Sequence, residues 1–269
     1  MKRRHLLASL AAILLSSIAS AVDRVPMERM AAYHRSVIVT HETDVTSAFM
    51  TYFKSHPEQI KHDFLVKIVP CLDKDGTIPA PSNATDVHVE DFPGGVQAKF
   101  KLGEVEVTTD FAPMLVGRGV QYWKGAAIYS IFTNPPTPVL LRVGGGTSVS
   151  FLTGTPPAFV GPDTVSPKDA QMLDNNTIAF ESGEDPFQIA VRATGVLDRS
   201  ADTGQVTARF AGGSGALVMA YADTADKALE LSKIDARAER KAVDEYYANL
   251  LKSRIETPDA NLNAAFRAA

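Results

Sequence analysis

The chain has a single cysteine, Cys71, in 269 residues, and a single tryptophan, Trp123. One cysteine leaves no internal disulfide, so the fold has to be held by packing and hydrogen bonding. Cys71 lies in the apolar run 64–72 and reads as a buried strand residue rather than a reactive thiol. Metal-ligand spacings are also missing. His34, His41, His56 and His62 are seven, fifteen and six residues apart, and His41-Glu42 lacks a second histidine four positions after the first. There is no Gly-x-Ser-x-Gly nucleophile elbow. Gly144-Gly145-Gly146 is not followed by the Lys-Ser/Thr that holds phosphate and metal, and reads as a tight strand connection. Asp73-Lys74-Asp75-Gly76 opens like a calcium loop, but Pro79 and Pro81 interrupt the ligand pattern, so a turn is expected. No metal or cofactor is expected.

Long apolar runs are confined to the start. Lys2, Arg3 and Arg4 precede the apolar stretch 6–18, and Ala19-Ser20-Ala21 supplies small residues for cleavage. The stretch is shorter than the ~20 residues that span a bilayer. Residues 1–21 therefore read as an export signal, and the mature chain as periplasmic or secreted, with no membrane contact after cleavage. The signal takes Lys2, Arg3 and Arg4 with it, which leaves 24 Lys+Arg against 31 Asp+Glu, a net charge near −7. That excess of negative charge argues against nucleic acid as a partner.

The mature chain is rich in short β-branched and aromatic runs punctuated by Gly and Pro. Strands are expected at 64–69, 87–89, 96–100, 105–111, 126–132, 139–143, 148–152, 177–180, 188–193, 206–210 and 216–220. Roughly eight to twelve short strands with turn signals between them, and no run of βαβ units, predict a mainly β fold, a large antiparallel β-sandwich. Gly212-Gly213-Ser214-Gly215 is expected to be a hairpin loop. Before the sandwich, residues 22–62 read as a helical or irregular lead-in. Val45, Ala48, Phe49, Tyr52 and Phe53 fall on one helical face, and His56-Pro57 would end that helix.

After the sandwich (63–222), helix is predicted over 223–256, capped by Asp223. Ile234, Ala238, Ala242, Tyr246 and Leu250 recur every four residues, widened by Val243, Tyr247 and Leu251, with Glu239, Arg240 and Lys241 on the polar side. Unbroken, it would reach ~45 Å and could serve as a strut. A further helix is expected to start at 257–269. Thr257 suits an N-cap, Pro258 the first helical position and Asp259 the positive end of the dipole. Leu262, Ala265, Phe266 and Ala269 then form an apolar face that needs something to pack on.

The run Ile255-Glu256-Thr257-Pro258-Asp259, followed by Leu262-Asn263 and Ala265-Phe266, comes after a helix carrying Tyr246-Tyr247. It resembles the approach to the catalytic barrel of six-hairpin glycosidases. The resemblance implies an N-terminal β-sandwich and linker helix, bracing an (α/α)6 barrel that is missing here and that would carry the catalytic carboxylates. Leu262, Ala265 and Phe266 would then be the barrel-docking surface, and the barrel the partner in cis.

No catalytic residue is expected within the chain itself. Glycoside cleavage usually needs two carboxyl groups set across a sugar. Glu90, Asp91, Glu104, Glu106, Asp110, Glu181, Glu184 and Asp185 read by default as solvated surface, with Glu104 and Glu106 on one strand face. Tyr122-Trp123-Lys124, between Gly119 and Gly125, has the character of a carbohydrate-stacking cluster for an oligosaccharide; Trp123 as a core or inter-domain residue is the other reading. Two functions remain: the non-catalytic sandwich portion of an exported glycoside hydrolase, or a stand-alone exported sandwich that binds a glycan or a periplasmic protein.

Overall fold

The computed structural model describes residues 29–34, 37–42, 48–52, 61–72, 84–92, 94–115, 124–144, 147–150, 170–181, 187–200, 206–252, 257–259 and 263. The chain is mainly β, with two antiparallel sheets. The expected signal, residues 1–21, lies outside the described residues, and no described helix is long and apolar enough to cross a membrane.

The first sheet runs β1 (Arg29–His34), β2 (Val37–Glu42), β3 (Ala48–Tyr52), β4 (Lys61–Leu72), β9 (Val139–Gly144), β15 (Val206–Phe210), β14 (Val196–Arg199), with β10 (Thr147–Ser150) also on β4. The second runs β11 (Gln171–Met172), β12 (Thr177–Glu181), β13 (Gln188–Ala193), β16 (Ser214–Ala222), β8 (Lys124–Asn134), β7 (Val105–Pro113), β6 (Gly95–Leu102), β5 (Ala84–Phe92). The expected helix through Ala48, Phe49 and Tyr52 is corrected: these residues form β3, paired with β2 and β4. The spacing of the apolar residues fits a helix, but strand pairing overrides it, and Ala48 and Met50, both fully buried, lie on one face of β3.

Period-2 alternation builds the core. Val66, Ile68 and Leu72 of β4, Val139, Leu141 and Val143 of β9, and Val206, Ala208 and Phe210 of β15 face inward from the first sheet. They meet Val107 and Phe111 of β7, Ala127, Tyr129 and Ile131 of β8, and Leu217, Met219 and Tyr221 of β16 in one continuous cluster. Phe111 meets Tyr129 edge-on with ring centres 5.4 Å apart, and Phe187 meets Tyr221 likewise at 5.2 Å. Cys71 is buried, as expected, but on the outer face of its sheet with Val69 and Leu140.

Two polar groups sit inside this core. Thr109 and Tyr129 are both buried, and neither hydroxyl makes a well-formed hydrogen bond. Burial raises the Tyr129 pKa above its ordinary value, an effect the neighbouring Thr109 only partly offsets, so the ring stays neutral. Tyr129→Phe is therefore expected to change stability by less than about 1 kcal/mol, since removing an unsatisfied hydroxyl costs little. Tyr129→Ala should lose about 3–5 kcal/mol. Urea melts of the two variants check the contrast.

The glycine-rich segments resolve differently from one another. β9 and β10 keep a single register along β4, Gly144 opposite Lys67 and Thr147 opposite Phe64, so a strand does follow Gly144. Gly213 is not in a hairpin, contrary to expectation: β15 belongs to the first sheet and β16 to the second, so the turn carries the chain across the sandwich. Gly213 holds φ +71° there, and its carbonyl accepts from the Thr133 backbone N–H (2.9 Å) and hydroxyl (3.0 Å).

The predicted long helix is two helices, α1 (Ala225–Ser232) and α2 (Ala236–Leu251). The cap of α1 is Thr224, one residue later than expected, whose hydroxyl accepts from Lys227 N at 3.4 Å. Asp223 instead pairs with the Lys227 ammonium at 2.7 Å. The break falls where Asp235 caps α2, its carboxylate accepting from Arg237 N (2.9 Å) and Ala238 N (3.1 Å). An aspartate offering its oxygen to two amide groups competes with continuation of the preceding helix.

Candidate functional site: the helix-bearing face of the second sheet

The outer face of the second sheet is divided. On one half the outward-facing positions are small or apolar and buried: Met114, Ala126, Ile128, Val218 and Ala220 pack against Leu231, Ile234 and Ala236. Ala190 and Ala222 receive Ala228 of α1. Alanines at these positions let a helix approach the sheet closely. On the other half, toward the opposite ends of β7, β8 and β16, no helix packs among the described residues, and Phe132, Asn134, Glu106 and Ser214 are all exposed.

Polar contacts fix α2 along this face. Arg240 Nε donates to Asp110 Oδ2 of β7 at 3.0 Å, while its Nη1 lies 2.7 Å from Asp244 Oδ1 one turn on. The guanidinium also stacks over Phe92, 4.9 Å from the ring centre. Glu239 Oε1 accepts from the backbone N–H of Leu115 at 3.0 Å. Arg240 and Asp110 are 17% and 28% exposed, so the expectation that Asp110 is solvated surface is corrected. Burial is the main influence on Asp110 and raises its pKa; Arg240 opposes the rise. A carboxylate in a cleft with a raised pKa is a general-acid candidate, but this one is engaged by a helix, and its chemistry is structural.

Farther along α2, Val243 is fully buried and Tyr247 half-buried against the β5–β6 turn, where Gly94 holds φ +89°. The predicted apolar stripe is thus split. Val243 and Tyr247 face the sandwich, whereas Tyr246 and Leu250 are 42% and 54% exposed.

Beyond α2 the expected cap at Thr257 is corrected: Pro258 and Asp259 are not helical. Asn263 N donates to Asp259 O at 3.1 Å, so the cap position falls on Asp259, and the Thr257 hydroxyl accepts from Asp259 N at 3.3 Å in a turn before it. Asn263 also binds back to Thr257. Its Oδ1 accepts from Thr257 N at 2.8 Å and its Nδ2 donates to Thr257 O at 2.8 Å. Sequence reading had no signal for this clamp beyond the six-residue spacing. Leu262, Ala265 and Phe266 lie outside the described residues, as do Tyr122 and Trp123. Lys124 begins β8, half-buried and opposite Ala222.

The other carboxylates serve local pairs. Glu90 lies 3.7 Å from Lys99 Nζ, and Glu106 accepts from Asn134 Nδ2 at 3.3 Å. Glu104 sits in the β6–β7 turn beside Gly103 and not on the strand with Glu106. Asp174 accepts from Asn176 N at 2.8 Å, which lowers its pKa. Glu184 and Asp185 lie outside the described residues. Among the described residues no three His, Cys, Asp or Glu side chains gather as a metal site.

Comparison with known proteins is sparse. No protein-family model and no curated protein matches the chain. Among solved structures it is similar, at a TM-score of 0.33 and 9% identity over 89% of its own length, to a protein described as a kojibiose phosphorylase from the human microbiome. The match spans 38% of that protein. A likeness of that extent fixes neither family nor activity.

Proposed function

We propose that this chain is the non-catalytic N-terminal sandwich and linker of an exported glycoside hydrolase, and that it braces an (α/α)6 barrel carried by the same polypeptide. The observation that carries the reading is the two-sidedness of α2. One side is fastened to the sandwich by Arg240, Val243 and Tyr247; the other offers Tyr246 and Leu250 to a neighbour. A helical turn starts a few residues later at Asp259, whose carbonyl accepts from Asn263 N, in the run that resembles the approach to the barrel of six-hairpin glycosidases. A strut with an apolar outer edge, followed by a capped helix start, suits a linker between two packed domains. The acid and base for sugar cleavage would come from the barrel.

The test is the size of the native protein, read by immunoblot of the source organism with antibody against the sandwich. A band much larger than the mature chain is expected, with glycosidase activity in that species and none in the isolated sandwich. A band at the size of the mature chain would overturn the proposal.

A further inference from the structure

The bare half of the second sheet's outer face holds an arrangement that neither the fold nor the proposed bracing role requires. We propose that it is a glycan-binding platform centred on Phe132. The inference goes beyond the bracing role and stands whether or not a barrel follows. Phe132 is 67% exposed, the most exposed of the large apolar side chains described. It sits on an inner strand of the sheet, near the end of β8 and beside the turn that precedes Ser214. β7 presents Thr108 directly opposite it on one side, and β16 presents Ser214 directly opposite on the other. Lys99 of β6 continues the same row beyond Thr108. Four strands at a spacing of ~4.8 Å make the row ~14 Å long, room for an oligosaccharide laid across the strands.

The chemistry of the flanks favours sugar over other occupants. Two residues along β8 from Phe132, Asn134 is held by Glu106, its amide donating to the carboxylate at 3.3 Å, and both side chains are exposed. A pyranose has an apolar C–H face and a rim of hydroxyls. A flat ring takes the first; a fixed amide–carboxylate pair, two further hydroxyls and an ammonium supply donors and acceptors for the second. A protein partner would call for a cluster of apolar anchors over a much larger area, whereas here one ring stands in a polar field. A nucleic-acid backbone would meet the Glu106 carboxylate, and Lys99 already lies close to Glu90.

Affinity electrophoresis of the full chain in gels cast with soluble starch, dextran, xylan, laminarin or galactomannan tests the proposal. Retardation by at least one polysaccharide is expected. Phe132→Ala should weaken it about tenfold or more, Phe132→Trp should preserve it, and Asn134→Ala should weaken it less. Thermal melts should leave all three variants close to the parent, because the positions are exposed. Retardation that survives Phe132→Ala would overturn the assignment, as would an absence of retardation on every polysaccharide. Neither outcome bears on the native size of the protein, so failure here and failure of the bracing role remain distinguishable.

Discussion

Gly94→Ala is expected to lower stability by about 2–4 kcal/mol and to loosen α2 from the sandwich. The loss has two parts. Gly94 holds φ +89°, a conformation that a side chain resists. A Cβ placed there would also lie 2.5 Å from Tyr247 Cδ2 and 2.9 Å from Val243 Cγ1, closer than carbon atoms approach. The two parts can be separated. In a Tyr247→Ala background the nearest obstruction is gone, so the additional loss from Gly94→Ala should shrink toward the backbone cost, and the two substitutions should be less than additive. Denaturant melts of the four proteins measure this. Full additivity would mean that α2 does not rest on the turn.

The second large effect is expected at Arg240. Arg240→Ala should cost about 3 kcal/mol at neutral pH, because it strands the Asp110 carboxylate in a mostly buried position. The pH dependence gives the cause away. Burial already raises the Asp110 pKa above its ordinary value, against the pull of Arg240. A carboxyl whose folded pKa is raised contributes stability that is complete below the unfolded value, about 3.9, and that is lost as pH rises through the folded value. Arg240 limits that loss, and without it the folded pKa climbs further. The stability gap between Arg240→Ala and the parent should therefore be widest near neutrality, narrow as pH falls through the two raised folded pKa values, and be at its smallest by the unfolded value, about 3.9. A gap that does not change with pH would assign the cost to lost packing on Phe92 instead. Arg240→Lys keeps the charge but loses the planar fork, and should recover only part of the stability.

These residues also show where sequence reading stopped. The strands with dense apolar runs between turn signals were legible: β7, β8, β13, β15 and β16 overlap the expected ranges 105–111, 126–132, 188–193, 206–210 and 216–220. β3 was not, because Ala48, Phe49 and Tyr52 fall on one helical face, and only pairing with β2 and β4 decides. β14 has no alternation to read, with Val196 exposed and Leu197 buried side by side, and its place is set by β15. The break at Asp235 was missed, because the apolar stripe from Ile234 to Leu250 runs on past it. Arg240 looked like a polar-face residue because its partner, Asp110, is 130 positions away. Phe132 fell within an expected strand, but its exposure follows from where the helices stop, which no local pattern contains.

The order of the second sheet sets a timetable for its assembly. β16 lies between β13 and β8, so without it the sheet falls into two unconnected pieces, β11–β12–β13 and β8–β7–β6–β5. It is also the last of the described strands to be made. The sandwich cannot close during synthesis until Ala222 has emerged, and until then the edges of β8 and β13 stand open to any passing strand. That interval of exposure belongs to the topology itself, and no substitution within the core would shorten it.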